Sequence, residues 1–168
     1  ELGEGTYYAE HIHVEGGELV LNTTSGDITI AVRDYVHLEK KGNEVPNVTV
    51  VGDGNVTMFV AAKKEVSVKP TGLGNRDVNL HVPKGGAVTV PDQRSFQLRI
   101  YSTASFKATV AGSNSSKAHF EGAIYAPGGT TGSGYTYVKQ ANVYGGIVSS
   151  NLTLGQYGAV HYDESLDE

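Results

Sequence analysis

The sequence predicts an all-β domain, a right-handed parallel β-solenoid, with a β-sandwich as the alternative. Three observations carry that expectation. First, the 168 residues include 22 Gly but no Cys and no Trp, and only 18% are charged. A chain rich in Val, Thr, Ser, Tyr and Gly suits short strands joined by turns, because β-branched and aromatic side chains pack on a pleated surface. Second, ten or so apolar runs alternate with period two, and no window shows a helical period. Third, many runs hold a polar corner. The form strand, polar corner, strand, Gly-rich turn recurs about every 20 to 35 residues, the spacing of coils in a parallel solenoid.

Each run can be justified in order. In "YYAEHIHVEG", Ile12 and Val14 share one face, and His11, His13 and Glu15 share the other. "GELVLNTTSG" follows and closes on the turn signal Thr24 to Asp27. In "GDITIAVRDYVHLEKKGN", Ile28, Ile30 and Val32 stay in phase until Arg33-Asp34 interrupts. "PNVTVVGDGN" ends in a second turn signal, Gly52 to Asn55. Lys63-Lys64-Glu65 interrupts "VTMFVAAKKEVSVKP", and Ser102-Thr103-Ala104 interrupts "FQLRIYSTASFKATV". In "AHFEGAIYAP", Phe120, Ile124 and Ala126 read as inward residues, Gly122 as the close approach of a neighbouring coil, and Pro127 as a corner. Ser149-Ser150-Asn151 then interrupts "VYGGIVSSNLTLG".

Composition bounds function as well. A net charge of −5, with 13 scattered Lys and Arg, gives a nucleic-acid partner no electrostatic support. The lack of cysteine excludes disulfides, zinc–thiolate sites and a thiol nucleophile. No apolar run reaches the roughly 18 residues of a membrane span, so membrane attachment is expected only through a segment outside these residues. Residues 1–168 are read as a single all-β domain, a fragment of a longer surface protein. Asn-x-Ser/Thr acceptors stand at Asn22, Asn47, Asn55, Asn114 and Asn151. They fit a secreted glycoprotein, or chance in a Ser/Thr-rich chain.

The C-terminal third carries a resemblance. "HFEGAIYAPGG" from His119, "VYGGIVSSNLTLG" from Val143 and "VHYDESL" from Val160 resemble a domain of unknown function of bacterial and archaeal surface proteins. That domain often lies in type IV pilus-associated or pilin-like polypeptides, near their C-termini. "FQLRIY" at Phe96 to Tyr101 is similar to the strand that precedes it there, so the resemblance spans residues 50–168. It implies an extracellular, β-helix-like domain with no established catalytic residues, so no site residue is carried over. The departure is "GGTTGSGYTYVKQAN", an insertion that is either a functional tip or a spacer.

Candidate chemistry is sparse. His11, His13 and Glu15 offer alternate metal-type ligands on one strand face, against the plainer reading of a solvated outer face. His161, Asp163, Glu164, Asp167 and Glu168 form an acidic cluster for calcium or, more plainly, a solvated tail. In that reading His161 and Asp163 face out while Tyr162 and Leu166 cap the core. A carbohydrate-active β-helix enzyme needs carboxylates converging in a groove. Asp27, Asp34, Asp53 and Asp77 are available, though each has a local turn role. Ser133 sits in "GSG" without a catalytic motif around it. Of the tyrosines, Tyr125, Tyr144 and Tyr162 are read as core caps, and Tyr135 and Tyr137 as a contact surface in a small-residue loop. The expected function is a non-enzymatic, extracellular structural or adhesion module, on the cell surface or in a pilus-like filament. Its partners are a protein or glycan at a surface, or other filament subunits, and it needs no cofactor. The alternatives are a glycan-binding adhesin and a carbohydrate-active β-helix enzyme.

Overall fold

The computed structural model describes residues 1–68, 76–102, 104–128 and 134–163. The chain is all-β, and its parallel strands form a curled sheet, a half-barrel. Two 3-10 turns, Pro91–Gln93 and Ser95–Gln97, are the helical segments among the described residues. None of these is long and apolar enough to cross a membrane.

The chain lays its strands down in sets of three. The first set is β1 (Gly5–Ala9), β2 (Ile12–Glu15) and β3 (Glu18–Asn22). The second is β4 (Ile28–Val32), β5 (Val36–Glu39) and β6 (Asn47–Val51). β7 (Val56–Val60) opens the third, which is interrupted by a hairpin of β8 (Val66–Val68) and β9 (Arg76–Val78) before β10 (Leu80–Val82) and β11 (Ala87–Thr89). Then come β12 (Leu98–Tyr101), β13 (Lys107–Ala111) and β14 (Ala118–Ala126). β15 (Tyr135–Lys139), β16 (Ala141–Ser149), β17 (Asn151–Leu154) and β18 (Gly158–His161) complete the chain.

Pairing skips sequence neighbours. β1, β4, β7 and β12 run in parallel onto the C-terminal half of β14, while β3, β6 and β11 run onto its N-terminal half. β2, β5, β10, β13, β15 and β17 form the second parallel sheet. Among the described strands, only β8 and β9 are sequence neighbours that pair with each other. This corrects the sandwich alternative, whose sheets are built from antiparallel strands. Parallel neighbours need a crossover between them, and here the other strands of each set supply it.

The alternating pattern explains the register. Ile30, Met58, Ile100 and Ile124 occupy one inward rung, and Ile28, Val56 and Leu98 another, all 0–3% exposed. A slip of one residue would turn each of these rows to solvent. Phe106 and Phe120 are the largest fully buried side chains. Burying each is worth about 1.5–3 kcal/mol.

β14 and β16 each run through two faces without a connecting turn, and paired glycines make that possible. Gly122 and Gly145 stand opposite each other at the bend, both with positive φ (153° and 133°). A Cβ on Gly145 would lie 2.1 Å from the Gly122 carbonyl oxygen, a contact no side chain tolerates. Lys63-Lys64-Glu65, expected as a corner between stacked strands, instead leads into the β8–β9 hairpin. Near that insertion the outward His37 and His81 are buried, and the His37 Nε2 lies 3.0 Å from the Val78 carbonyl oxygen that accepts its hydrogen bond.

Candidate functional site

The outer face of the β1–β4–β7–β12–β14–β16 row carries one large side chain on most rungs. In register these positions are Tyr8, Ala31, Phe59, Tyr101, Tyr125 and Val148. They are the phase opposite to the buried Ile and Val residues, so the period-two pattern that fills the core also points them out. Tyr8 is 85% exposed, Phe59 50% and Tyr125 46%. Ring centroids of Phe59 and Tyr101 are 5.7 Å apart, and those of Tyr101 and Tyr125 are 6.0 Å apart.

Ala31 interrupts this aromatic row and opens a slot. Positions two rungs apart on a parallel sheet are separated by about 9.6 Å. One ring-shaped group therefore fits between Tyr8 and Phe59 above the Ala31 methyl. The groove there encloses about 750 Å³. Glu10, Arg33 and Ser102 give its lining a polar edge. Arg33 pairs with Glu10 and, at 3.1 Å, with Asp34. Those Arg33 hydrogen bonds hold the Asp34 carboxyl below the usual carboxylate range and raise the guanidinium's own pKa. Two positions before the aromatic row on the same outer face, Thr6, Thr29 and Thr57 form a hydroxyl row in register. A second hollow, again about 750 Å³, opens at Ala123 and Gly146 and shares Tyr101 and Tyr125 with the first.

Two further stacks ornament other outer rows. His11 stacks on Tyr35 at 4.9 Å, Tyr35 meets His37, and His37 meets His81 edge-on. His119, Tyr144 and His161 form another, with Tyr144 and His161 stacked 4.5 Å apart and nearly parallel. The Nε2 of His119 lies 2.8 Å from Glu121, whose other carboxylate oxygen accepts the Val90 backbone N–H. Burial pushes the His81 imidazole down to about 4, with the neighbouring His37 adding to the shift, and burial lowers His37 too.

The expected ligand trio separates into individual pairs. His11, His13 and Glu15 are all exposed, but His13 faces Glu39 at 3.2 Å, Glu15 faces Lys41 at 3.8 Å and His11 stacks on Tyr35. No group of three or more His, Asp or Glu among the described residues is arranged to hold a metal. The four aspartates sit apart. Asp27 accepts the Asn55 backbone N–H at 2.7 Å, Asp34 is buried against Arg33, Asp53 pairs with Arg94, and Asp77 lies exposed in β9. Ser133, Glu164, Asp167 and Glu168 lie outside the described residues, as does Leu166.

Several expectations need correction. Tyr135 and Tyr137 are in β15, not in a loop, and Tyr137 is 6% exposed. Their β-branched neighbours Thr136 and Val138 stack on Ala108 and Val110 of β13, which extends the sheet into "YTYVK". Tyr125 and Tyr144 lie on outer faces, and Tyr162 is 59% exposed, so none of the three caps the core. Asp163 does not face out: it accepts hydrogen bonds from the Ser95 backbone N–H and hydroxyl. The five sequon asparagines are each at least partly exposed, Asn114 and Asn151 more so than Asn22, Asn47 and Asn55. Sequence reasoning missed the aromatic row because its successive aromatic members are 24 to 51 residues apart. The one available signal was an aromatic at the outward phase of successive strands.

A family profile described as a domain of unknown function, DUF7305, matches residues 1–168. No curated protein and no solved structure matches the chain.

Proposed function

Since the chain belongs to the DUF7305 family along its whole length, we propose that this fold is a non-enzymatic, extracellular adhesion module that holds saccharide on its aromatic face. The observation that carries the reading is the row Tyr8, Phe59, Tyr101 and Tyr125 with Ala31 as its gap. A sugar ring offers apolar C–H faces and a hydroxyl edge. Such a ligand wants an aromatic wall with hydrogen-bonding groups at the rim, and the Thr row and the Arg33–Glu10 border supply the rim. An apolar peptide would need a continuous greasy groove and would leave those polar borders unsatisfied.

The same proposal includes the winding. Strands that step from face to face and stack in parallel rows support a right-handed solenoid, because parallel crossovers are right-handed in about 98% of cases. Such a stack is stiff along its length and suits display from a cell surface or a pilus-like filament. Its partners there are a surface glycan and, in a filament, neighbouring subunits.

Glycan-array screening followed by calorimetry tests the reading. The wild-type domain binds a saccharide, and Tyr101→Ala or Tyr125→Ala weakens binding at least tenfold, about 1.4 kcal/mol, without lowering the melting temperature. Binding that survives both changes would put the ligand elsewhere.

A further inference from the structure

The hollow beside the aromatic row bears on the charge of its ligand. Arg99 points outward from β12, in register between Thr57 of β7 and Ala123 of β14. Beyond Ala123 the same row reaches Gly146. Two truncated positions in succession thus open the space in front of the guanidinium, about 750 Å³ bounded by Phe96, Tyr101, Tyr125 and Tyr162. No acid lines it. The other guanidiniums with described side chains are answered: Arg33 by Glu10 and Asp34, Arg94 by Asp53 and Asp92. Arg99 has no carboxylate within ion-pair distance among the described residues. Among the described residues this half-covered arginine is answered by no carboxylate, which leaves its guanidinium open to an external anion.

We infer that the saccharide held on this face is acidic, and that the carboxylate of a uronate-type sugar docks against the Arg99 guanidinium while the ring lies along Tyr101 and Tyr125. The planar fork of arginine matches a carboxylate with two parallel hydrogen bonds, and the aromatic walls keep water from screening them. This rests on the saccharide reading of the face and adds the charge of the ligand. The two tyrosines line both hollows, so one oligosaccharide spans the slot at Ala31 and the pocket at Arg99.

Calorimetric titration separates the two claims. The probes are a galacturonate hexamer, its methyl ester and a neutral glucose hexamer of the same length. Wild-type domain binds the acid about tenfold or more tighter than the ester at low salt, and the difference shrinks as salt is raised. Arg99→Gln erases the difference, and Arg99→Lys, which keeps the charge and loses the fork, leaves part of it. Equal binding of acid and ester by the wild type overturns the acidic assignment and leaves the saccharide reading standing. A difference that persists in a folded R99Q variant also overturns it, by placing the cation elsewhere. Failure of all three probes to bind at millimolar concentration overturns both readings. The acid-against-ester comparison needs no variant, so it stands even if R99Q folds poorly.

Discussion

Replacing Gly145 by Ala attacks the bend that lets β16 serve two faces. The new Cβ meets the Gly122 carbonyl oxygen at 2.1 Å, the Gly122 carbonyl carbon at 2.9 Å and Ser95 Cβ at 3.1 Å. Two of the three are backbone atoms, so no rotamer change relieves the contact. The carbonyl must retreat by about 1 Å to reach an ordinary separation, and forcing atoms into a packed region costs about 1–3 kcal/mol. The positive φ of 133° adds strain for any side chain, about 1–3 kcal/mol. Together they give about 4 kcal/mol, a large share of the 5–15 kcal/mol that holds a typical domain together. For a chain of this size, that lowers Tm by about 8–16 °C. Gly17→Ala is the control: its φ is also positive, at 68°, but nothing lies within 4 Å of the added Cβ. Strain alone there costs about 1–2 kcal/mol. Thermal unfolding followed by circular dichroism measures both. If the two variants melt within about 3 °C of each other, the Gly122–Gly145 contact is not what demands glycine, and the account of the bend fails.

Phe120→Ala empties a fully buried site and should cost about 3–5 kcal/mol in urea unfolding; a loss under 1 kcal/mol would mean the core there collapses freely. His81 is neutral when folded down to about pH 4 but gains its proton near 6.5 when unfolded. Its depressed folded pKa therefore leaves stability complete above pH 6.5 and removes it as pH falls towards 4, by up to about 3 kcal/mol. His81→Gln should flatten that slope in urea melts across the same window, and an unchanged slope would assign the pH dependence to other groups. Asp27→Ala removes the acceptor of the Asn55 backbone N–H and should cost about 1 kcal/mol, read as a shift in the urea midpoint at constant m-value. Peptide mass spectrometry of protein from a glycosylating host should find sugar at the exposed Asn114 and Asn151 before the partly covered Asn47 and Asn55; the reverse order would refute exposure as the deciding factor.

The architecture was legible where local chemistry repeats. Ile28, Ile30 and Val32 read inward and are buried, and "GDGN" and "TSGD" do punctuate the chain between successive sets. Gly122 read as a close approach, and its added Cβ would sit 3.1 Å from the Leu98 carbonyl oxygen. Legibility ended where a property belongs to the register and not to a segment. Tyr8, Phe59, Tyr101 and Tyr125 are unremarkable singly and become a surface only when parallel rungs align them. Arg99 is likewise an ordinary strand arginine until Ala123 and Gly146 are set beside it. The error at Tyr135 and Tyr137 has a related cause. The glycines before them suggested a loop, while strand pairing with β13 decided the outcome. Tyr162 misled in the opposite sense: alternation from Val160 predicted burial, but the strand ends at His161 and the alternation lapses with it.

The undivided run of β14 has a mechanical consequence. Pulled from its two termini, a stack of separate short strands would peel one set at a time, each ladder of three to five residues yielding alone. β14 and β16 are joined by nine consecutive register pairs across two faces, from Ala118 and Ala141 to Ala126 and Ser149. Peeling that starts at either end must stop there and shear the whole ladder at once. The C-terminal half of the molecule is thus its clamp, and Arg99, Tyr101 and Tyr125 lie on or beside it, so a tether anchored through this face would hold while the outer sets extend.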